Sequence, residues 1–123
     1  MYLPADLDER RKYPIIDSQY SAPHVVVTPR RFVIDTELAL AQLGFVVINV
    51  DGRATSLRQQ SMQDLGFAGK QSAPLLVEDH KVAMEQLARR YPFIDIDRVG
   101  VYGHSAGGYR AALFRFPELH TSF

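Results

Sequence analysis

Apolar positions along this chain fall into two kinds, short continuous runs and stripes at helical spacing. Phe45-Val-Val-Ile-Asn-Val50 is a nearly unbroken β-branched run that ends at the turn Asp51-Gly52, the pattern of a strand buried on both faces. Tyr13-Pro-Ile-Ile16 opens a second strand that runs toward Tyr20 and is broken by Ser21-Ala-Pro23, and Val99-Gly-Val-Tyr102 reads as a third. Between the runs the period changes. Thr28-Pro29 has the form of an N-cap with proline at the first helical position, and Ile34, Leu38 and Ala41 recur at helical spacing up to Gly44, which suits a C-cap. Residues 54–72 are polar and read as irregular; Ser72-Ala-Pro74 then introduces a helix to about Arg90 with the stripe Leu76, His80, Ala83, Met84, Leu87 and Tyr91. The turn-like Asp95-Ile-Asp97 leads into the third strand, and a helix is expected after Ser105. Strand and helix thus alternate three times. This order predicts an α/β fold with a parallel sheet and a site at the carboxyl ends of its strands.

Composition narrows the function classes more than the fold. The 123 residues are 46% hydrophobic with a formal net charge of zero, which fits a soluble globular domain and supplies no field for nucleic acid or an anionic membrane. No apolar run approaches the roughly 20 residues of a membrane span, and the first residues lack a signal peptide's basic and hydrophobic regions. A leader lost upstream would leave no trace, so the compartment stays open between cytoplasm and periplasm or exterior. Cysteine is absent, so disulfides and thiolate metal sites are excluded.

The candidate chemistry lies in Val99-Gly-Val-Tyr-Gly-His-Ser-Ala-Gly-Gly108. Gly103-x-Ser105-x-Gly107 is a nucleophile-elbow pattern, in which a strand turns sharply into a helix and holds a serine hydroxyl at the apex. The glycines Gly103, Gly107 and Gly108 let helix and strand approach with no Cβ between them. Ser105 is the candidate nucleophile, and the backbone N–H of Ala106 at the helix start is the candidate oxyanion donor. A glycine-rich turn that packs tightly or cradles a phosphate is the plainer reading, but the glycine spacing does not match a dinucleotide fingerprint. His104 adjoins Ser105, yet side chains on two sides of a sharp turn point apart. His80 reads as a packed helix residue. His24 and His120 have no companion at metal-ligand spacing, so neither a metal nor a cofactor is expected.

With these motifs placed, the chain resembles the catalytic domain of the prolyl oligopeptidase family of serine peptidases, particularly its dipeptidyl-peptidase-like and acylaminoacyl-peptidase-like branches. The resemblance runs from about Tyr13 through four ordered blocks: Tyr13-Pro-Ile-Ile with Tyr20-Ser-Ala-Pro23, Leu43 through Arg53, Asp64-Leu-Gly66 before Val77-Glu-Asp79, and Tyr91 through Gly108. It implies a partial α/β-hydrolase fold that ends just after the nucleophile elbow. Residues 1–12 would be a polar lead-in and 13–123 the N-terminal part of the catalytic domain, without propeller or C-terminal part. It also implies a second oxyanion donor, the phenol of Tyr20, where an ordinary aromatic at a strand end is the alternative.

The resemblance implies peptide hydrolysis through an acyl-enzyme; an esterase-like acyl hydrolase and a non-catalytic assembly module are the alternatives. Only eighteen residues follow Ser105, so the family's Asp and His are expected beyond Phe123, and the isolated chain is expected to turn over very slowly. A sheet of about three strands is expected to self-associate or to need the missing segments of the domain. Asp51-Gly-Arg53 has no nucleophile or base, so Arg53 is expected to pair with Glu78 or Asp79 as architecture, with solvated charges as the alternative. Four departures from the family pattern stand out: Ala22 and Ala54 at usual glycine positions, the polar Asp17-Ser18-Gln19 within a strand, and a helix after Gly108 about one turn short.

Overall fold

A computed structural model of the chain describes residues 1–20, 24–31, 34–57, 59–67 and 73–115. Its elements are β1 (Tyr13–Gln19), α1 (Thr36–Gln42), β2 (Val46–Ile48), α2 (Gln60–Phe67), α3 (Ala73–Arg90), β3 (Ile94–Gly103) and α4 (Ala106–Arg115). The three strands form one sheet in the order β2-β1-β3, and both pairings are parallel. β1 is central because each crossover carries the chain to a different side of it. The α/β class expected from the alternating pattern is the observed one.

The alternation of side chains along β1 sorts the helices onto two faces. Asp17 points to the face where α3 brings His80, and Ser18 points to the face where α1 brings Glu37. The main core lies on the α3 face, where Tyr13, Ile15, Val46, Ile48, Met84, Phe93 and Ile94 form one buried cluster. Ala41, at the end of α1, is also buried.

Several boundaries differ from those the pattern predicts. α1 begins at Thr36 under the N-cap Asp35, whose carboxylate accepts the Leu38 N–H, and not after Thr28-Pro29. The Asp51 carboxylate takes the N–H groups of Val27 and Thr28 at 2.8 and 3.0 Å and ties that segment to the end of β2, while Asp35 supplies the cap that starts the helix. Ile34, counted into the apolar stripe, is consequently 84% exposed. α2 occupies part of the stretch read as irregular; Gln60 donates to Asp64 one turn on, but none of residues 60–65 is buried, so no apolar period marked it.

Within β3 the pairing jumps from Pro14 with Asp95 to Ile15 with Val99. The intervening residues, expected as a turn ahead of a strand from Val99, lie instead within β3 as a bulge, where Asp97 N–H and Arg98 Nε meet the Asp95 carboxylate at 3.1 and 2.7 Å. The N-terminal lead-in is docked on the body. Tyr2 forms an antiparallel bridge to Val47 on the outer edge of β2 and donates its hydroxyl to Asp35 at 3.0 Å, while Leu3 and Leu7 pack against the core. Bridging that edge shields backbone groups that would otherwise face solvent unpaired.

Candidate active site

The elbow follows from the way β3 meets α4. Gly103 ends the strand, His104 and Ser105 are exposed at the apex, and Ala106 begins the helix. Ser105 has φ of 53°, the left-handed region that disfavours a side chain by roughly 1–2 kcal/mol. The turn is closed by Gly107 N–H to the His104 carbonyl at 2.8 Å and by Tyr109 N–H to the Ser105 carbonyl at 3.1 Å. Ala106 supplies one of the first N–H groups of α4, which have no partner inside a helix.

The glycines are fixed by neighbouring backbone. A Cβ on Gly107 would overlap the carbonyl of Gln19 and lie 3.2 Å from the Tyr20 Cα; one on Gly103 would overlap both the Gln19 carbonyl oxygen and the Gly107 carbonyl. A Cβ on Gly108 would sit 3.0 Å from the Gly103 oxygen. The start of α4 therefore lies on the end of β1, which brings the backbone of half-buried Tyr20 against Gly107, two residues from Ser105. The residues from Ser21 to Pro23, with the Ala22 departure, lie outside the described residues, as do Phe116 and His120. Among the described residues the Ser105 hydroxyl has no hydrogen-bond partner, and no cluster of three metal-ligating side chains exists.

Arg53 meets Asp79 and not Glu78. Its backbone N–H reaches Asp79 Oδ2 at 2.6 Å, its Nε and Nη2 reach Oδ1 at 2.8 and 2.6 Å, and Nη2 also donates to the Leu75 carbonyl at 3.2 Å. The bond to Asp79 raises the Arg53 pKa above the ordinary guanidinium value. A groove of about 530 Å³ lined by Val50, Asp51, Arg53, Met62, Asp79 and Gln86 runs beside this turn, away from the elbow.

The polar residues that looked out of place in β1 each have a side-chain hydrogen-bond partner. His80 Nδ1 lies 2.9 and 2.8 Å from the two Asp17 oxygens, Gln19 Nε2 donates to Asp17 at 2.7 Å, and His80 and Asp17 are 1% and 0% exposed. On the other face Glu37 Oε1 accepts from Ser18 at 2.7 Å and Tyr102 at 3.2 Å, with Asn49 at 3.5 Å. Burial, ahead of the nearby acids, raises the Tyr102 pKa. Sequence reading treated His80 as packing alone. The available signal was the coincidence of two anomalies, a histidine inside an apolar stripe and an aspartate inside an apolar strand. Ala54, the other departure, takes φ of 71°, a conformation that glycine adopts without strain.

Comparison with known proteins places these features in context. Residues 32–119 match the prolyl oligopeptidase family. The chain is 35% identical over 115 residues to dipeptidyl peptidase 8 of Homo sapiens, covering 89% of this chain and 12% of that protein. It is 28% identical over 124 residues to venom dipeptidyl peptidase 4 of Apis mellifera, covering 100% of this chain and 16% of the relative. In structure it superimposes on dipeptidyl peptidase 4 of Porphyromonas gingivalis with a TM-score of 0.77 at 32% identity, over 91% of this chain and 16% of that one. The chain thus spans less than a fifth of the length of these relatives.

Proposed function

The chain belongs to the prolyl oligopeptidase family, and from that premise we propose that Ser105 is the nucleophile of a serine peptidase that cleaves peptides through an acyl-enzyme. The hydroxyl attacks the scissile carbonyl carbon, and the tetrahedral oxyanion is held by the Ala106 N–H and the Tyr20 phenol. Collapse of that intermediate releases the amine and leaves the acyl group on Ser105 until water removes it. The general base and its carboxylate partner come from segments other than the described residues. The relatives named as dipeptidyl peptidases make peptides with a free dipeptide end the substrate class to try first.

The observation that carries this reading is the strained backbone of an exposed serine at the junction of a strand and a helix, locked by Gly103 and Gly107, which admit no Cβ. A fluorophosphonate probe tests it. The folded chain is expected to label at one site and Ser105→Ala to remain unlabelled. Labelling is expected to be slow, because the general base comes from elsewhere, and labelling that survives in Ser105→Ala would overturn the assignment. Faster turnover of a short acyl ester than of a dipeptide anilide would move the reading to an esterase.

A further inference from the structure

Beyond the elbow itself, the end of β1 carries an arrangement with no direct part in the chemistry. β2 pairs with β1 only from Ile15 to Asp17, so Ser18 and Gln19 have a strand neighbour on one side alone, in β3. Yet the carbonyl of Gln19 is the surface on which Gly107 rests, with no room for a methyl group between them. A shift of that carbonyl must move the start of α4, and with it Ser105. Something other than the ladder has to hold it.

We propose that His80 is a positioning residue for the elbow, acting through Asp17 on Gln19. His80 comes from the long helix α3, which is itself anchored in the core by Leu76 and Met84. Its Nδ1 faces both carboxylate oxygens of Asp17, and Asp17 in turn accepts the side-chain amide of Gln19. The three side chains are essentially inaccessible to water, with Gln19 also 1% exposed. In such surroundings hydrogen bonds strengthen one another; among the described residues Gln19 Oε1 is buried without a partner, so the bond from Nε2 to Asp17 is what orients the amide. An aspartate, a histidine and a glutamine thus stand where leucine or valine would pack equally well, and they fix the orientation of the β1 terminus. This matters for catalysis because misplacement of a reacting group by about 1 Å can lower a rate on the order of a hundredfold.

The proposal rests on Ser105 being the reactive serine, but its test does not require Ser105 to react. Amide hydrogen exchange is measured at Gly107 and Tyr109, which close the elbow, and at Ala39 in α1 as a reference for overall stability. In His80→Leu, exchange at Gly107 and Tyr109 is expected to rise at least tenfold more than at Ala39. His80→Asn, whose amide can replace the Nδ1 donor, is expected to return it to within about threefold of the unmodified protein. Should His80→Leu fail to fold, Gln19→Met, which keeps the volume and removes only the last bond, should show the same local pattern at reduced size. An equal rise at all three amides, no rise, or an asparagine no better than leucine would overturn the proposal and leave His80 a packing residue. Fluorophosphonate labelling of the unmodified protein at a residue other than Ser105, with the exchange pattern as expected, would instead count against the assignment of Ser105 and leave the positioning role of His80 standing.

Discussion

Arg53 and Asp79 are joined twice, once through the guanidinium and once through the Arg53 backbone N–H. The carboxylate also packs on Gly52, where a Cβ would lie 2.9 Å from Oδ2. One aspartate therefore fastens the turn after β2 to α3 by backbone as well as side chain. Removing the two partners should have unequal effects. Asp79→Ala deprives both the guanidinium and the amide, and should cost about 2–3 kcal/mol; Arg53→Ala leaves the amide bond and, with a guanidinium partly exposed, should cost about 1 kcal/mol. Urea unfolding of the two single variants and the double variant checks this. The double variant should be less destabilised than the sum of the singles.

Gly107 and Gly108 are adjacent but face different surroundings. Gly107→Ala drives a methyl into the Gln19 carbonyl, a rigid backbone group, and should destabilise by about 3 kcal/mol or more. For Gly108→Ala the nearest atom is 3.0 Å away, and the gain in helix propensity of about 1 kcal/mol offsets the tight contact. Thermal melts should separate the two variants widely, with Gly108→Ala near the unmodified protein.

Strain at Ser105 predicts that function and stability oppose each other there. Ser105→Gly should raise stability by about 0.5–1 kcal/mol, since relief of the left-handed backbone exceeds the entropy of the added glycine. Ser105→Ala keeps the strain and should give no such gain. Ala54→Gly relieves the same kind of backbone but loses a buried methyl worth about 0.8 kcal/mol, so little net change is expected. Calorimetric melting temperatures of the three variants provide the test.

Tyr2 gives the fold an alkaline limit. Burial first, and then the hydrogen bond to Asp35, pushes its pKa up to about 12 from 10.0. A raised phenol pKa means that the neutral form is favoured in the folded state, so the associated stability is fully present below about pH 10 and is lost as pH rises toward 12. Ultraviolet absorbance of tyrosinate should show a late ionising step that shrinks in Tyr2→Phe, with Tyr102 remaining as a second late tyrosine. That variant should also lose about 1 kcal/mol at neutral pH with the bond to Asp35.

Arg110 on α4 is only 8% exposed, and its Nη1 has no hydrogen-bond partner among the described residues. Burial pulls its pKa below the ordinary guanidinium value. A charge held this way disfavours folding, so Arg110→Met should raise stability by about 1–2 kcal/mol while retaining the packing of the stem. Chemical denaturation measures it directly; a loss of stability would show that the guanidinium is satisfied elsewhere.

The sequence by itself determined those features whose causes are local. The β-branched run at Val46–Ile48, the stripe that carries Leu76 and Met84 into the core, and the glycines around Ser105 are short-range patterns, and each could be read from neighbours a few positions apart. Long-range partnerships were decided only by the tertiary structure. α1 begins at Thr36 under Asp35, and Val27 and Thr28 are tied instead to Asp51, more than twenty residues downstream. Arg53 meets Asp79 instead of Glu78 because successive helical residues point about 100° apart, and only one of the two can face the turn at Gly52. His80 and Asp17 are 63 residues apart, and each looks anomalous alone. Folding α3 over β1 turns them into a pair, since burial removes the water that each polar group would otherwise bind.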